Sequence, residues 1–137
     1  MDPKLTALGS IKSDSCLRES LIRKFESIRR TTENLCAPLA PEDFVLQSMA
    51  DASPAKWHLA HTSWFYETFV LAEHVKNYKP FHPQFGFLFN SYYNAVGPRW
   101  PRPQRGLLSR PTVIEIFRYR AHVDRAMCEM LQSLDVD

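Results

Sequence analysis

The sequence predicts an all-α protein built from three long helices. Apolar residues recur at helical spacing in three stretches, helix caps or prolines mark the ends of these stretches, and no segment shows the alternation of a β-strand. The helices are expected at about residues 15–35, 54–77 and 112–134. Residues 1–13 are expected to form a flexible N-terminal tail, so the folded domain should span residues 14–137.

Each helix is justified by its own pattern. The second begins with Ser53 as the N-cap and Pro54 at the first helical position. The third begins at a capping box formed by Thr112 and Glu115 and then presents a broad apolar face. In the first helix the apolar residues share one face: Leu17, Leu21, Phe25, Ile28 and Leu35.

Composition restricts the class of protein. The chain has 137 residues, of which 45% are hydrophobic and 23% are charged, as expected for one soluble globular domain. Its formal net charge of +2 predicts no nucleic-acid partner. The longest uncharged stretch, residues 80–98, is broken by proline and glycine, so no membrane span is predicted. Three widely separated cysteines and the absence of a signal peptide favour a cytoplasmic protein.

A long aromatic, proline-rich loop is predicted between the second and third helices. Residues 79–111 hold six of the ten prolines and three of the four glycines. Within it, Arg99, Arg102 and Arg105 recur every third residue among prolines, and polyproline II, with three residues per turn, would align them along one edge. Such a row suits a carboxylate or a phosphate, and a solvated basic loop is the alternative.

His61 is the first candidate for chemistry. On a helical wheel it lies between Trp57 and Trp64, near the centre of the apolar face, whereas His58 lies on the flank. A buried histidine needs a partner for its ring nitrogens, so His61 is either a core residue bonded to a carbonyl group or a metal ligand. His122 falls on the polar side of the third helix and is expected to be solvated.

Arg120 and Asp124 form an i,i+4 pair on the third helix. Unlike most such pairs, they are expected to project into the apolar face. A buried ion pair rarely adds stability over an apolar substitute. The pair is therefore interpreted as a device that sets the register of two helices, or as support for a polar site.

Three segments, in order along the chain, resemble a known family. They are residues 53–62 (SPAKWHLAHT), 89–97 (FNSYYNAVG) and 101–112 (PRPQRGLLSRPT). They resemble the N-terminal domain of the ergothioneine-biosynthesis sulfoxide synthases, and the resemblance runs from about Arg29 to Asp124. In those enzymes a DinB-like four-helix bundle is joined to a C-type-lectin-like domain. The resemblance therefore implies a DinB-like helical bundle of the up-down type.

The resemblance also implies a site. The family binds non-heme iron(II) through three histidines, one from a Leu-Ala-His sequence of the second helix and two from a later HxxxH helix; His61 matches the first. Arg102 and Arg105 match the arginines that bind the thiol substrate. The family joins a cysteine-type thiol to trimethylhistidine, using dioxygen and producing a sulfoxide. No catalytic residue of the family is matched in this chain.

The sequence departs from the family at its end. No HxxxH pair occurs, so the fourth helix is expected to be missing, together with two of the three iron ligands and the C-terminal domain. The chain alone is expected to be inactive and not to retain iron(II). The apolar face around Trp57, Trp64 and Phe117 would then lack a cover, which predicts a homodimer or a complementing polypeptide.

Two other functions remain open at this point. One is a non-catalytic helical interaction module that dimerises through Trp57 and Trp64. The other is a free-standing DinB-like thiol transferase that uses another divalent metal, against which the positions of the remaining histidines argue.

Overall fold

A computed structural model describes residues 3–134, with side chains described from residue 14 onwards. This part of the chain is helical and contains no β-strand, which confirms the predicted all-α class. The elements are α1 (Pro3–Cys36), a 3-10 turn (Asp43–Val45), α2 (Ala55–Tyr66), a π-helical turn (Glu67–Leu71), α3 (Ala72–His74), α4 (Phe85–Phe89), a second 3-10 turn (Arg102–Leu107) and α5 (Val113–Gln132). None of the helices within residues 3–134 has the length and apolarity required to cross a bilayer.

The first helix starts earlier than the sequence pattern suggested. It begins at Pro3, so helix occupies most of the stretch for which a flexible tail was predicted. Proline is tolerated in the first turn, and Leu5, Leu8 and Ile11 continue the apolar repeat at helical spacing. Residues 1–2, the rest of the predicted tail, lie outside the described part of the chain.

The second predicted helix is present, but its ends and its middle differ. Pro54, not Ser53, is the N-cap, and no side chain caps the first turn. The helix widens into the π-helical turn and ends at His74, because Val75 adopts an extended backbone. A π-helical turn inside a helix is frequently a feature of a functional site.

The third predicted helix is confirmed with its cap. Thr112 Oγ1 accepts a hydrogen bond from the Glu115 backbone N–H at 3.2 Å, and the Glu115 carboxylate accepts one from the Thr112 N–H at 2.7 Å. The buried side of α5 carries Ile116, Tyr119, Arg120, Val123 and Met127. This side packs against α2 and forms the centre of the core.

The prediction that the face around Trp57 and Trp64 lacks a cover is wrong. Trp57 is only 4% exposed and Trp64 only 1% exposed. The segment between α3 and α5 folds back over them, and α4 buries Phe85 and Phe89 in the same core. The aromatic residues of this loop therefore cover the face that was assigned to a missing helix.

The apolar face predicted for α1 is also largely wrong. Phe25 is buried, and so is Arg29, which lies one turn further along. The other members of the predicted stripe are exposed: Leu17, Leu21, Ile28 and Leu35. The helix thus turns Phe25 and Arg29 towards α2 and α5 and leaves the stripe facing outward.

Arg29 explains why the predicted Arg120–Asp124 pair does not form. Arg29 Nε donates to Asp124 Oδ1 at 2.7 Å, and Arg29 Nη2 donates to Ser63 Oγ at 2.6 Å. Arg120 is fully buried, as expected, and donates to the Leu59 carbonyl oxygen at 3.1 Å. These contacts connect α1, α2 and α5, which agrees with the register-setting interpretation.

Candidate anion and imidazole site

His61 is held in a stack of aromatic rings on α2. Its imidazole lies nearly parallel to the Trp57 ring, with centroids 4.6 Å apart, and to the Trp64 ring at 5.4 Å. His61 Nδ1 lies 2.7 Å from the carbonyl oxygen of Phe89 in α4. Because a carbonyl oxygen only accepts, Nδ1 carries the proton, and Nε2 keeps its lone pair. A histidine that donates from one nitrogen to a carbonyl group is oriented as metal-binding histidines usually are.

The surroundings of His61 favour its neutral form. Burial lowers the pKa of His61, and the nearby positive charge of Arg105 lowers it further, although the hydrogen bond to the Phe89 carbonyl opposes both effects. The pKa of His58 is lowered as well, first by burial and then by Arg105 and Arg102. Near neutral pH the His61 ring is therefore available as an electron-pair donor.

Trp57 contacts both His61 and an arginine. Its indole Nε1 donates to the Leu88 carbonyl oxygen at 3.0 Å, which fixes the plane of the ring. The guanidinium carbon of Arg105 lies 3.4 Å from the centroid of the Trp57 ring, as a cation–π contact. One anchored indole thus positions both the imidazole and the guanidinium group.

Arg105 is a buried cation without a counter-ion in the described part of the chain. It is 3% exposed, its Nη1 donates to Ser53 Oγ at 2.7 Å, and its Nε has no hydrogen-bond partner. Burial, together with the charge of Arg102, lowers the pKa of Arg105 to about 10. A buried, unpaired charge is costly, so the arrangement favours an anionic ligand.

The predicted polyproline helix is wrong, but the predicted alignment of Arg102 and Arg105 is explained by the structure that replaces it. Residues Arg102–Leu107 form a 3-10 turn, which also has three residues per turn. Gln47 holds this turn in place: its Nε2 donates to the Arg102 carbonyl oxygen at 2.8 Å, and its Oε1 accepts from the Gly106 N–H at 2.7 Å. The sequence of the turn does not indicate that Gln47 holds it, because Gln47 lies far from the turn along the chain.

Both arginines line one open cleft, called the arginine cleft below. Its volume is about 500 Å³, and its lining residues are Tyr92, Arg99, Pro101, Arg102, Pro103 and Arg105. The Arg102 guanidinium carbon lies 4.8 Å from the centroid of the Tyr92 ring, and the Arg102 Nε is buried without a hydrogen-bond partner. None of the lining residues is acidic, so the cleft is suited to an anion.

The described residues do not complete a metal site. Among them, no group of three or more histidine, cysteine, aspartate and glutamate side chains is placed to hold a metal ion. His74 and His122 line a different groove, and His82 packs against Phe85. The part of the chain that the structure describes thus offers His61 as a single imidazole, which does not fit iron(II) bound by three histidines.

His122 is not solvated as predicted. Its Nε2 is buried without a hydrogen-bond partner, and its ring lies 6.0 Å from the Tyr78 ring and 5.4 Å from the Phe81 ring. The segment that follows α3 covers this side of α5. Both aromatic contacts come from that segment, so the wheel of α5 alone could not reveal them.

Comparison with known proteins identifies a family. No curated protein matches the chain. The sequence profile of the DinB superfamily matches residues 24–137, a range that contains every described element from α2 to α5 and part of α1. The chain belongs to the DinB superfamily.

Proposed function

We propose that this chain is the helical part of a non-heme iron(II), dioxygen-dependent sulfoxide synthase that joins a cysteine-type thiol to trimethylhistidine. His61 supplies one imidazole to the iron, and Arg102 and Arg105 bind the carboxylate of the thiol substrate. The observation that supports this most is the contact of one indole with both groups, since Trp57 stacks on His61 and on Arg105. Membership of the DinB superfamily agrees with this proposal at the level of the fold.

The arginine cleft has the chemistry that a carboxylate requires. Guanidinium groups bind carboxylates through paired, charge-assisted hydrogen bonds, and such bonds are stronger where water is partly excluded. The Nε atoms of Arg102 and Arg105 are buried and have no partner among the described residues. A bound carboxylate would supply the missing acceptors and neutralise a charge that is otherwise unpaired.

The iron site of this proposal needs two more ligands. Because the described residues offer only His61, we propose that the other two imidazoles come from outside residues 3–134, from another part of the protein or from a complementing polypeptide. The chain by itself is then expected to be inactive and not to retain iron(II). A free-standing thiol transferase that uses another metal would need the same additional ligands.

The thiol-binding half of the proposal is tested by ligand titration of the intact chain. 3-Mercaptopropionate carries a thiol and a carboxylate, whereas cysteamine has the same length and lacks the carboxylate. We expect the first to bind, the second not to bind, and Arg105→Gln to weaken binding at least tenfold. Arg118→Gln, an exposed arginine on α5 outside the cleft, is the matched control. Equal binding of both thiols, or of neither, contradicts the proposal.

The metal half is tested separately by supplying the missing parts. A second polypeptide that carries an HxxxH helix and a lectin-like domain is added together with iron(II) and both substrates, and oxygen consumption is recorded. We expect His61→Ala to abolish consumption and His58→Ala, the neighbouring histidine, to leave most of it. Consumption that does not depend on His61, or no consumption at all, argues against the iron site.

A non-catalytic helical interaction module is the second candidate, because one observation favours it. Four large apolar side chains of α1 are exposed on one side of the helix: Leu17, Leu21, Ile28 and Leu35. Lys24 and Thr31 interrupt this stripe, and the residues beside it, Ser20, Ser27 and Asn34, carry no charge that would repel a second copy. Trp57 and Trp64 are buried, so we propose that such a dimer would use the exposed residues of α1 and not the two tryptophans. Sedimentation equilibrium distinguishes the two candidates. If the chain is an interaction module, the unmodified chain forms a dimer, Ile28→Glu disrupts that dimer, and Arg102→Ala leaves it intact.

A further inference from the structure

A second cleft lies between α4 and the beginning of α5, and it shares no lining residue with the arginine cleft. Its volume is about 400 Å³, and it is called the phenylalanine cleft below. The apolar part of its lining consists of Phe81, Phe85, Leu88 and Pro111. The polar part consists of His82, Gln84, Arg110, Glu115 and Arg118. Apolar walls with a few converging polar groups are typical of small-molecule sites.

The aromatic wall of this cleft is held in place from below. The Phe81 backbone N–H donates to Glu67 Oε1 at 2.9 Å, and the Phe81 ring lies 5.3 Å from the ring of the buried Tyr119. The Phe85 ring lies 4.9 Å from the same tyrosine ring. Phe85 is buried, whereas Phe81 is 37% exposed. A planar apolar ligand can therefore pack on Phe81 at a small cost in side-chain entropy, because the backbone and the ring beneath it are already fixed.

Two arginines of the cleft have no acidic partner in the part of the chain whose side chains are described. Arg110 Nη1 donates to the carbonyl oxygen of Ser109, and none of the ion pairs found there includes Arg110 or Arg118. Among the described lining residues only Glu115 is acidic, and its Oε2 accepts from the N–H and the hydroxyl group of Thr112 at 2.7 Å each. The lining therefore carries one more positive charge than negative charge, which a single carboxylate would neutralise.

His82 adds a further hydrogen-bond donor. Its Nδ1 lies 3.2 Å from the backbone nitrogen of Gln84. Because a backbone N–H only donates, Nδ1 accepts, and the neutral ring carries its proton on Nε2. The imidazole centroid lies 4.8 Å from that of Phe85, so this donor is placed beside the aromatic wall. An aromatic wall next to donors and an unpaired positive charge favours an anionic aromatic ligand over a neutral or cationic one.

We infer that the phenylalanine cleft binds an aromatic carboxylate, a small molecule whose ring packs on Phe81 and whose carboxylate is bound by Arg110 and Arg118. His82 supplies the additional donor. The cleft lies apart from His61 and from the arginine cleft, so the inference does not depend on the proposed sulfoxide synthase function.

The test compares three ligands that separate the ring from the charge. 2-Naphthoate has both, 2-naphthamide keeps the rings and has no charge, and acetate keeps the carboxylate and has no ring. Isothermal titration of the intact chain should show about tenfold or tighter binding of 2-naphthoate than of either other ligand, since hydrogen bonds to charged groups contribute that factor. The preference for naphthoate over naphthamide should decrease as the salt concentration rises.

Variants assign the two parts of the ligand to their residues. Arg110→Gln and Arg118→Gln should each weaken naphthoate binding about fivefold or more and leave naphthamide binding within about twofold. Phe81→Leu should weaken both naphthyl ligands by a similar factor. Arg125→Gln, an exposed arginine seven residues after Arg118 on α5 and outside the lining, should change neither affinity.

The arginine cleft provides the competing location for the carboxylate. Arg105→Gln should leave naphthoate binding unchanged. Loss of binding in Arg105→Gln, with full binding in Arg110→Gln and Arg118→Gln, overturns the inference. Equal affinities for naphthoate and naphthamide, or no binding of naphthoate to the unmodified chain, overturn it as well. Arg118 is exposed on α5, so Arg118→Gln keeps the test decisive if Arg110→Gln does not fold.

Discussion

The guanidinium carbon of Arg105 lies 3.4 Å from the centroid of the Trp57 ring, and the imidazole of His61 stacks on that ring at 4.6 Å. The indole face partly compensates the buried charge of Arg105, in place of an acidic partner. At the same time, the hydrogen bond from Trp57 Nε1 to the Leu88 carbonyl oxygen fixes the ring relative to α4. The positions of the cleft and of the imidazole therefore depend on one side chain.

This relationship predicts that charge alone is insufficient at position 105. Arg105→Lys keeps the positive charge, but an ammonium group neither stacks flat on Trp57 nor offers two parallel donors. We expect the affinity for 3-mercaptopropionate to fall about tenfold or more in isothermal titration. Arg118→Lys is the matched control, with no change expected. If Arg105→Lys binds as tightly as the unmodified chain, the stacked geometry has no part in recognition.

Gly106 tests how the 3-10 turn is held. A Cβ atom at this position would lie 2.8 Å from Gln47 Cβ, too close unless Gln47 moves and loses its two hydrogen bonds to the turn. We expect Gly106→Ala to lower the free energy of unfolding by about 1–3 kcal/mol, the usual cost of forcing extra atoms into a packed site. Urea unfolding measures this.

Gly86 provides the control for that substitution. It lies in α4, and a Cβ added there meets nothing within 4 Å. Gly86→Ala should therefore be neutral or stabilise the protein by up to about 1 kcal/mol, because alanine favours the helix. Equal effects of the two substitutions would show that Gln47 does not restrain the turn.

The third prediction concerns the ion pair of Arg29 in α1 with Asp124 in α5. Asp124→Asn leaves the buried Arg29 without its acidic partner, which should lower the free energy of unfolding by about 1–3 kcal/mol, less than for a fully buried pair because Asp124 is partly exposed. Glu19→Gln breaks an exposed pair with Arg23 and should cost less than about 0.5 kcal/mol. A double-mutant cycle with Arg29→Met isolates the interaction, and a coupling energy near zero would contradict it.

Local signals in the sequence predicted the features that depend on neighbouring residues. The Thr112–Glu115 capping box formed as expected because both partners lie within one turn. His61 lies between Trp57 and Trp64 because helical spacing places the three side chains together. The predicted alignment of Arg102 and Arg105 holds although the segment is a 3-10 turn and not a polyproline II helix, because both types of helix have three residues per turn.

Features that depend on distant residues were not predictable in this way. The partner of Asp124 is Arg29, which lies on another helix. The hydroxyl group of Ser53 accepts a hydrogen bond from Arg105 and does not cap α2. The cover over the tryptophans comes from a loop whose composition suggested irregular structure. Such contacts depend on how elements pack, which a single helical wheel does not represent.

The buried carboxylate of Glu67 leads to the last prediction, which concerns alkaline pH. Tyr119 donates its hydroxyl proton to Glu67 Oε2 at 2.6 Å, while Tyr78 and the Phe81 N–H donate to Glu67 Oε1 at 2.9 Å each. Burial, reinforced by the charge of Glu67, raises the pKa of Tyr119 far above its ordinary value. The folded protein therefore keeps this proton at a pH at which the unfolded chain has lost it.

The sign of the effect follows from this difference in proton binding. Below about pH 10, the ordinary pKa of tyrosine, both states are protonated at Tyr119 and its contribution to stability is constant. Above that pH, the free energy of unfolding should fall by about 1.4 kcal/mol per pH unit on account of Tyr119. Tyr119→Phe should lower the free energy of unfolding at neutral pH by about 1–3 kcal/mol and remove this part of the alkaline slope. Urea unfolding at several pH values between 8 and 11 measures both, with the exposed Tyr92→Phe as the control. An identical slope in Tyr119→Phe and the unmodified protein would show that Tyr119 ionises as readily folded as unfolded.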